Sequence, residues 1–374
     1  MVIKIRDNIY AVGARDPQVR IFHGYATPYG ATYNAYLVHD DSSDKWVLID
    51  NVKAAFTEEF IHNIEEVIPV ERIDYVIQNH IEPDHSGSCP EIFARIPDAP
   101  IYCTAGAQKG LMAYYGKDFH CKLVKMGDTL NTGKYTFHFI PAPMVHWPDS
   151  MLTYLAEEKI LFSNDAFGQH ICPENASYDD ELGYDRLMER ASDYYANIVL
   201  PFGMQVQGLL KQAAALDIEL VCPSHGVMLR KYIGEMVASY DRWSRNEVQE
   251  DKVVIVYDSM WNATAEMAEK IRADFESVGK KVSVHCLKDE HYSRVMGDIL
   301  EAKFVFVGTS TLNNNMLPTV AAFLTYMKGL RPKDRTGMAF GSYGWSGESV
   351  KQAEEILVSM GWTALPQRRQ LYKG

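Results

Sequence analysis

YVIQNHIEPDHSGS, residues 75–88, is the stretch whose reading decides the fold. Its first five residues, YVIQN, read as a β-strand, and the chain then turns mostly polar. His80, Glu82, Asp84 and His85 fall within six consecutive positions, with Pro83 and Gly87 to bend the backbone. Four metal-ligand types at that density, on a loop at a strand end, can converge on one or two ions from a single piece of chain. A solvated charged turn is the competing possibility, but turns favour Asp and Gly rather than two histidines at this spacing.

On both sides of this loop the first two-thirds of the chain mixes strands with a few helices. WVLID (46–50), IYCT (101–104), YTFHFI (135–140), MLTYL (151–155), ILFS (160–163) and ELVC (219–222) read as strands. AAFTEEFIHNIEEVI (54–68) has helical apolar spacing, and 184–215 reads as helix interrupted near Pro201 and Gly203. Three further polar residues follow apolar runs: His146 in APMVHWPDS, Asp165 in LFSNDAFGQH and His225 in VCPSHGV. Singly each could be an ordinary structural residue. With the 80–85 cluster they form a repeated pattern that packing does not account for.

Near residue 241 the texture changes, and after the polar run DRWSRNEVQEDK (241–252) strands and helices alternate regularly. VVIVYD (253–258), KVSVHCL (281–287), FVFVGTS (304–310) and GMAFGSY (337–343) read as buried strands, each followed by an amphipathic helix. The expected division is therefore 1–248, an α+β domain, and 249–374, an α/β doubly wound parallel sheet. The tail WTALPQRRQLYKG leaves room for a fifth strand at 361–366 but not for a fifth helix.

The loops after these parallel strands are where such sheets bind ligands. DSMWNATAEMA (258–268) opens a helix, with Ser259 and Thr264 able to donate hydroxyl hydrogen bonds to a phosphate. It contains neither GxxxxGK[ST] nor GxGxxG, which points to a monophosphate ligand rather than a triphosphate or dinucleotide. An ordinary βα turn would account for this loop alone equally well. Two more loops strengthen the reading: Thr311, Leu312, Asn313 and Asn314 in one, and Ser342, Tyr343, Gly344, Trp345 and Gly347 in the other. Asparagine amides suit a flavin edge, and Trp261, Tyr343 and Trp345 offer flat faces for its ring.

Composition narrows the function classes. A net charge of −12 argues against non-specific nucleic-acid binding. No apolar run approaches a membrane span, and the N-terminus carries no secretory signal, so a cytoplasmic protein is expected. The six cysteines form no CxxC pair, which excludes a rubredoxin-like or zinc-ribbon site and leaves reduced, mostly buried thiols.

The series HxExDH…H…D…H resembles the metallo-β-lactamase superfamily and, more specifically, the flavodiiron proteins (A-type flavoproteins). HWPDS (146–150), NDAFGQH (164–170) and PSHG (223–226) follow the flavodiiron order. Hydrolases of the superfamily usually carry HxHxDH. Glu82 in place of the second histidine hardens the donor set, which suits iron better than zinc. The resemblance implies an αββα sandwich followed by a flavodoxin-like domain. It implies one iron held by His80, Glu82 and His146, a second by Asp84, His85 and His225, and Asp165 bridging. It implies FMN in the second domain, where Met260 and Trp261 match flavodiiron proteins and Asn262 and Ala263 replace a glycine common in simple flavodoxins. The positions of His23, Tyr25, His170 and Tyr195 line the family's substrate pocket.

The activity so implied is reduction of dioxygen to water, nitric oxide to nitrous oxide, or both. The electrons would come from an external donor such as rubredoxin or a reduced deazaflavin, and the assembly would be a head-to-tail homodimer or a dimer of dimers. Two alternatives remain open at this point. One is a zinc-dependent hydrolase with an appended flavodoxin-like domain. The other is an electron carrier or regulator with a vestigial metal site.

Overall fold

A computed structural model describes residues 2–372. The chain divides into two compact units. The first holds the described residues through Arg20 with Thr27–Ala191 and Met204–Ala238, and the second holds Ile21–Ala26, Ser192–Gly203 and the described residues from Ser239 onward.

The first unit is built on two sheets. The larger has seven strands, in the order Ile3–Arg6, Ile9–Ala11, Tyr36–Asp40, Lys45–Ile49, Tyr75–Ile77, Ile101–Cys103 and Cys121–Leu123. The smaller has five, in the order Thr129–Asn131, Thr136–Pro141, Met151–Leu155, Ile160–Asn164 and Leu220–Pro223. One hydrophobic cluster joins inward side chains of both: Val38, Val47, Ile49 and Ile77 from the larger, and Phe137, Phe139, Leu155 and Phe162 from the smaller. That shared core is the sandwich expected from sequence. Helices such as Thr57–Glu65, Cys89–Arg95 and Ala105–Tyr115 each bury one apolar side, as Phe60, Ile61 and Ile64 show for the first.

Strand direction sets where ligands can meet. Ile160–Asn164 pairs parallel with Leu220–Pro223 and antiparallel with Met151–Leu155. The residues just after the first two strands and the loop leading into the third therefore lie at one end of the smaller sheet.

In the second unit every strand pair of the main sheet is parallel, in the order Lys281–Cys286, Gln249–Tyr257, Ala302–Ser310, Thr336–Tyr343, with Thr363–Ala364 and Arg368–Leu371 both pairing with the last. This is the doubly wound flavodoxin-like sheet. The fifth-strand position is filled by two short strands rather than one at 361–366, and among the described residues no helix follows them. The helical stretch after residue 184 breaks where the sequence suggests: Tyr184–Tyr194 passes through a π turn, Tyr195–Val199, and a 3₁₀ turn, Leu200–Phe202, before Gly203–Ala213. Pro201 cannot donate to a helix ladder. Gly203 is required for a different reason, since a Cβ there would lie 2.3 Å from the Ser244 carbonyl oxygen.

Of the six free cysteines, Cys89, Cys103 and Cys222 are buried and Cys121, Cys172 and Cys286 are half-buried.

Candidate functional site

The 78–88 loop is shaped by polar side chains that hold its backbone. Gln78 Nε2 donates to the carbonyls of both His80 (2.6 Å) and His85 (2.7 Å), closing the loop on itself. Asp50 accepts from the Asn79 backbone N–H at 2.7 Å and from its amide at 2.9 Å. Pro83 starts the helical turn Pro83–Ser86, whose first turn carries Asp84 and whose last carries His85. Gly87 permits a close crossing, because a Cβ there would lie 2.3 Å from the Ala54 nitrogen.

Seven donor side chains converge. Glu82 Oε2 lies 3.4 Å from His80 Nε2 and 3.2 Å from His146 Nε2. Asp165 Oδ2 lies 3.5 Å from His80 Nε2 and 3.3 Å from His146 Nε2. On the other side, Asp84 Oδ2 lies 3.1 Å from His85 Nε2 and 3.2 Å from His225 Nε2. Asp165 Oδ1 lies 3.1 Å from His85 Nε2 and 3.4 Å from His225 Nε2. Each oxygen of one carboxylate thus faces a different group of donors. His80, Glu82, His146 and Asp165 form one group, and Asp84, His85 and His225 the other.

These spacings fit cations. Donors about 2.1 Å from a shared ion sit about 3.0–3.4 Å apart in tetrahedral or octahedral arrangements. Both oxygens of Asp165 and Nε2 of His85 are buried and make no hydrogen bond among the described residues. Such orphaned groups are costly unless something else satisfies them.

The electrostatics agree. Burial disfavours a charged His80, but its hydrogen bonds with Asp149 and Glu82 and the charge of Asp165 outweigh it and hold the imidazole up to about 10. Burial likewise opposes ionisation of Asp165, yet His85, His146 and His80 hold it well below the usual carboxylate range. Asp84 is held down in the same way, against its burial, by His85 and His225. Two carboxylates held ionised, together with Glu82 and four imidazoles, make a cage for positive charge.

Sequence reasoning does not find the residues that orient these donors. Asp149 Oδ2 lies 2.8 Å from His80 Nδ1, and the Thr32 carbonyl lies 2.6 Å from His225 Nδ1. Metal-bound histidines ordinarily make such contacts through their other nitrogen. Asp149 stands inside the HWPDS run and Gln78 close to His80, so position offers a hint, but no residue-type rule singles them out.

Of the four expected pocket residues, His170 lies in the first unit, 3% exposed, its ring 4.8 Å from that of His225. His23, Tyr25 and Tyr195 belong to the second unit. There Tyr195 packs at 4.9 Å against Tyr240 and 5.2 Å against Trp243, and burial raises its phenol above the ordinary value. His23 and Tyr25 belong to the tight hairpin of Ile21–Phe22 and Tyr25–Ala26, with His23 at a positive φ of 50°.

In the second unit, three hydroxyls meet at adjacent strand ends. Thr264 Oγ1 lies 2.7 Å from Ser342 Oγ and 3.1 Å from Ser310 Oγ, and the two serines are 3.2 Å apart. Ser310 also accepts the Met260 N–H at 3.3 Å, so it belongs to the site although nothing in its sequence context marks it. Ser259 Oγ is buried without a hydrogen-bond partner among the described residues. The helix Ala263–Ser277 begins beside these groups, with Ala263 at its first position and Asn262 as an N-cap at φ 62°. Converging hydroxyls, an orphaned serine and a helix N-terminus fit a phosphate.

Asn313 and Asn314 also take positive φ, 50° and 60°, in a loop closed by paired backbone hydrogen bonds of 2.9 Å between Leu312 and Asn315. Trp261 is 71% and Trp345 87% exposed, which leaves both rings open to a planar ligand. The loop Gly344–Gly347 closes over Tyr343, and a Cβ on Gly347 would press to 3.2 Å from that ring. The Thr311 hydroxyl lies 2.7 Å from that of Ser349.

Comparison with known proteins agrees with both halves. The model of the ODP family beta lactamase matches residues 31–226, and that of flavodoxin matches 255–368. A nitric oxide reductase of Moorella thermoacetica is 41% identical over 360 residues, covering 95% of this chain and 89% of that protein. The structure of rubredoxin oxygen:oxidoreductase from the anaerobe Desulfovibrio gigas superposes with a TM-score of 0.95 at 38% identity, covering 100% of this chain and 94% of that one. The flavodiiron protein from Giardia intestinalis superposes with a TM-score of 0.94 at 34% identity, covering 100% and 92%.

Proposed function

This chain belongs to the flavodiiron proteins and is an oxidoreductase, and from that premise we propose that it reduces nitric oxide to nitrous oxide, dioxygen to water, or both. The cofactors are FMN and a pair of iron ions. The observation that carries the reading is the divided carboxylate of Asp165, with one oxygen directed at His80 and His146 and the other at His85 and His225. That division calls for two ions rather than one, and Glu82 beside it favours iron over zinc.

His80, Glu82 and His146 would hold one ion, Asp84, His85 and His225 the other, and Asp165 both. When bound, FMN supplies electrons and the iron pair supplies open positions at which a diatomic molecule is reduced. Three carboxylates offset most of the charge of two divalent ions, which lets a neutral diatomic compete with anions for the site. His170, beside His225, is assigned to hydrogen-bond or protonate the bound substrate. His23, Tyr25 and Tyr195 keep the pocket role that the resemblance implies. A tyrosine held neutral by burial donates a hydrogen bond without adding charge.

In the second unit Ser259, Thr264, Ser310 and Ser342 are assigned to the flavin phosphate. Met260, Trp261, Asn262 and Ala263, then Thr311, Leu312, Asn313 and Asn314, then Tyr343, Gly344, Trp345 and Gly347 line its ring and edge. The functional domains divide near residue 248. An external donor, rubredoxin or a reduced deazaflavin, would feed the flavin. A head-to-tail homodimer, alone or paired, would let the flavin of one copy serve the irons of another. Among the described residues no helix is long and apolar enough to cross a membrane, which fits a cytoplasmic setting.

The zinc-hydrolase alternative is not favoured, since a nitric oxide reductase, a rubredoxin oxygen:oxidoreductase and a flavodiiron protein are among the relatives and structural neighbours. The deciding experiment is anaerobic reduction of the iron-loaded, FMN-replete protein, followed by parallel electrode assays of nitric oxide and dioxygen consumption. Turnover of at least one is expected. Zinc in place of iron, or no turnover of either gas, overturns the reading.

A further inference from the structure

The two halves of the metal cage are supported unequally. His80 Nδ1 donates to Asp149 Oδ2 at 2.8 Å, and the same oxygen accepts the Ile81 N–H at 2.9 Å. Asp149 is held rigidly. It is 3% exposed, its carbonyl accepts the Thr104 hydroxyl at 2.9 Å, and a Cβ on Gly106 would lie 3.1 Å from its Cα. The helix Ala105–Tyr115 therefore crosses it closely, where any side chain larger than glycine would have to push the Asp149 backbone aside by a few tenths of an ångström. In the other half, His225 Nδ1 donates to a neutral carbonyl, that of Thr32 at 2.6 Å. His85 Nδ1 is buried and makes no hydrogen bond among the described residues.

An imidazole whose far N–H is held by a carboxylate is a more basic ligand than one held by a carbonyl or by nothing. We propose that Asp149 makes the two metal positions unequal, so that the position of His80, Glu82 and His146 fills first and empties last. Asp149 is a positioning residue: it acts through His80 and does not touch the ion. The inference rests on the reading that the cage holds two iron ions.

The test uses Mössbauer spectroscopy, which sees only ⁵⁷Fe. The full-length apoprotein receives one equivalent of ferrous ⁵⁷Fe anaerobically and is then filled to two with ⁵⁶Fe. The expected spectrum of the wild type is dominated by one of the two doublets seen when both positions carry ⁵⁷Fe. Asp149→Asn keeps the size and a neutral acceptor. It is expected to reduce the preference by about 10- to 100-fold, the usual effect of an outer partner, while total iron stays at two per chain. Asp149→Glu, which keeps the charge, is expected to retain part of it.

Equal labelling of both doublets in the wild type overturns the proposal, and that arm needs no variant to fold. Equal preference in wild type and Asp149→Asn overturns the role of Asp149. A wild type that never binds two irons instead overturns the diiron reading itself, so the two failures are distinguishable.

Discussion

His80 in the first unit and His285 in the second both sit among carboxylates, and only one of them is in a site. His285 places Nδ1 2.8 Å from Glu290 and Nε2 2.9 Å from Asp298, so both ring nitrogens are spent on ion pairs. His80 spends Nδ1 on Asp149 and turns Nε2 toward Glu82 and Asp165, where His146 also points. Burial opposes the charge in both cases and hydrogen-bonded carboxylates win, holding His80 up to about 10 and His285 up to about 9. The electrostatics of the two are nearly alike. What separates a metal ligand from a salt bridge is a nitrogen whose lone pair converges with others on one point. Residue type and local charge do not reveal it.

The largest expected effect breaks that convergence at its shared member. Asp165→Ala removes the one carboxylate common to both donor groups, so metal content should fall from two ions per chain to fewer than one. Gas-consuming activity should drop by more than about 100-fold, beyond what loss of an outer partner causes. FMN content should stay near one per chain, because the flavin loops belong to the other unit. Metal analysis and the flavin absorbance spectrum check both statements; retention of two irons would remove the basis of the comparison.

The second unit buries charge by another route. Arg335 is 1% exposed and meets no carboxylate at hydrogen-bonding distance among the described residues; its guanidinium instead donates to the carbonyls of Asn246, Lys333, Ile299 and Leu300. Two of those carbonyls end the helix Arg294–Ile299, where a cation is favoured. Burial pulls its pKa down to about 10. Arg335→Met leaves several buried acceptors unsatisfied and should destabilise the second unit by about 3 kcal/mol. Urea unfolding followed by flavin fluorescence reads this out, with iron content unchanged in the folded fraction.

A smaller effect is expected at the hydroxyl triangle. Thr264→Val is nearly isosteric but removes a group 2.7 Å from Ser342 and 3.1 Å from Ser310. Loss of one hydrogen bond to a charged phosphate is worth about 1.5–3 kcal/mol, so FMN affinity should weaken by about 10- to 100-fold. Riboflavin, which lacks the phosphate, should bind wild type and variant alike. Titration of both ligands into the apoflavoprotein measures the difference, and an equal loss for riboflavin would move Thr264 away from the phosphate.

How much of this is legible in the chain varies for physical reasons. The parallel sheet of the second unit is readable because β-branched runs buried on both faces leave a continuous apolar signal, as in VVIVYD. The seven donors are readable because packing and solubility rarely place His, Glu and Asp together just past apolar strands. The strands Ile3–Arg6 and Ile9–Ala11 escape such a reading, since in three or four residues flanked by charged or turn residues they form no apolar run like WVLID or MLTYL. Arg368–Leu371 escapes it because RRQL is polar, with three of its four residues exposed. Asp149, Gln78 and Ser310 stay hidden for a shared reason: their roles depend on which backbone group or ring a fold brings to them.

The smallest expected effect returns to His285. Its ordinary pKa of 6.5 rises to about 9 in the fold, so the folded state holds its proton more tightly than the unfolded chain. Stability from this group is then fully present below about pH 6.5 and is lost as pH rises through about 9. A shift of that size sets an upper bound of about 3 kcal/mol. Asp298 and Glu290 are 40% and 30% exposed, so solvent screening should reduce it to about 1 kcal/mol. His285→Gln should therefore be less stable than wild type by about 1 kcal/mol at about pH 6 and indistinguishable from it above about pH 10, in urea unfolding monitored by flavin fluorescence. The comparison with His80 sharpens here, because His80 in the iron-loaded protein is committed to its ion and should contribute no such alkaline limb. If the gap between wild type and His285→Gln stayed constant across that range, the ring would be acting through packing alone, and its kinship with His80 would reduce to shape.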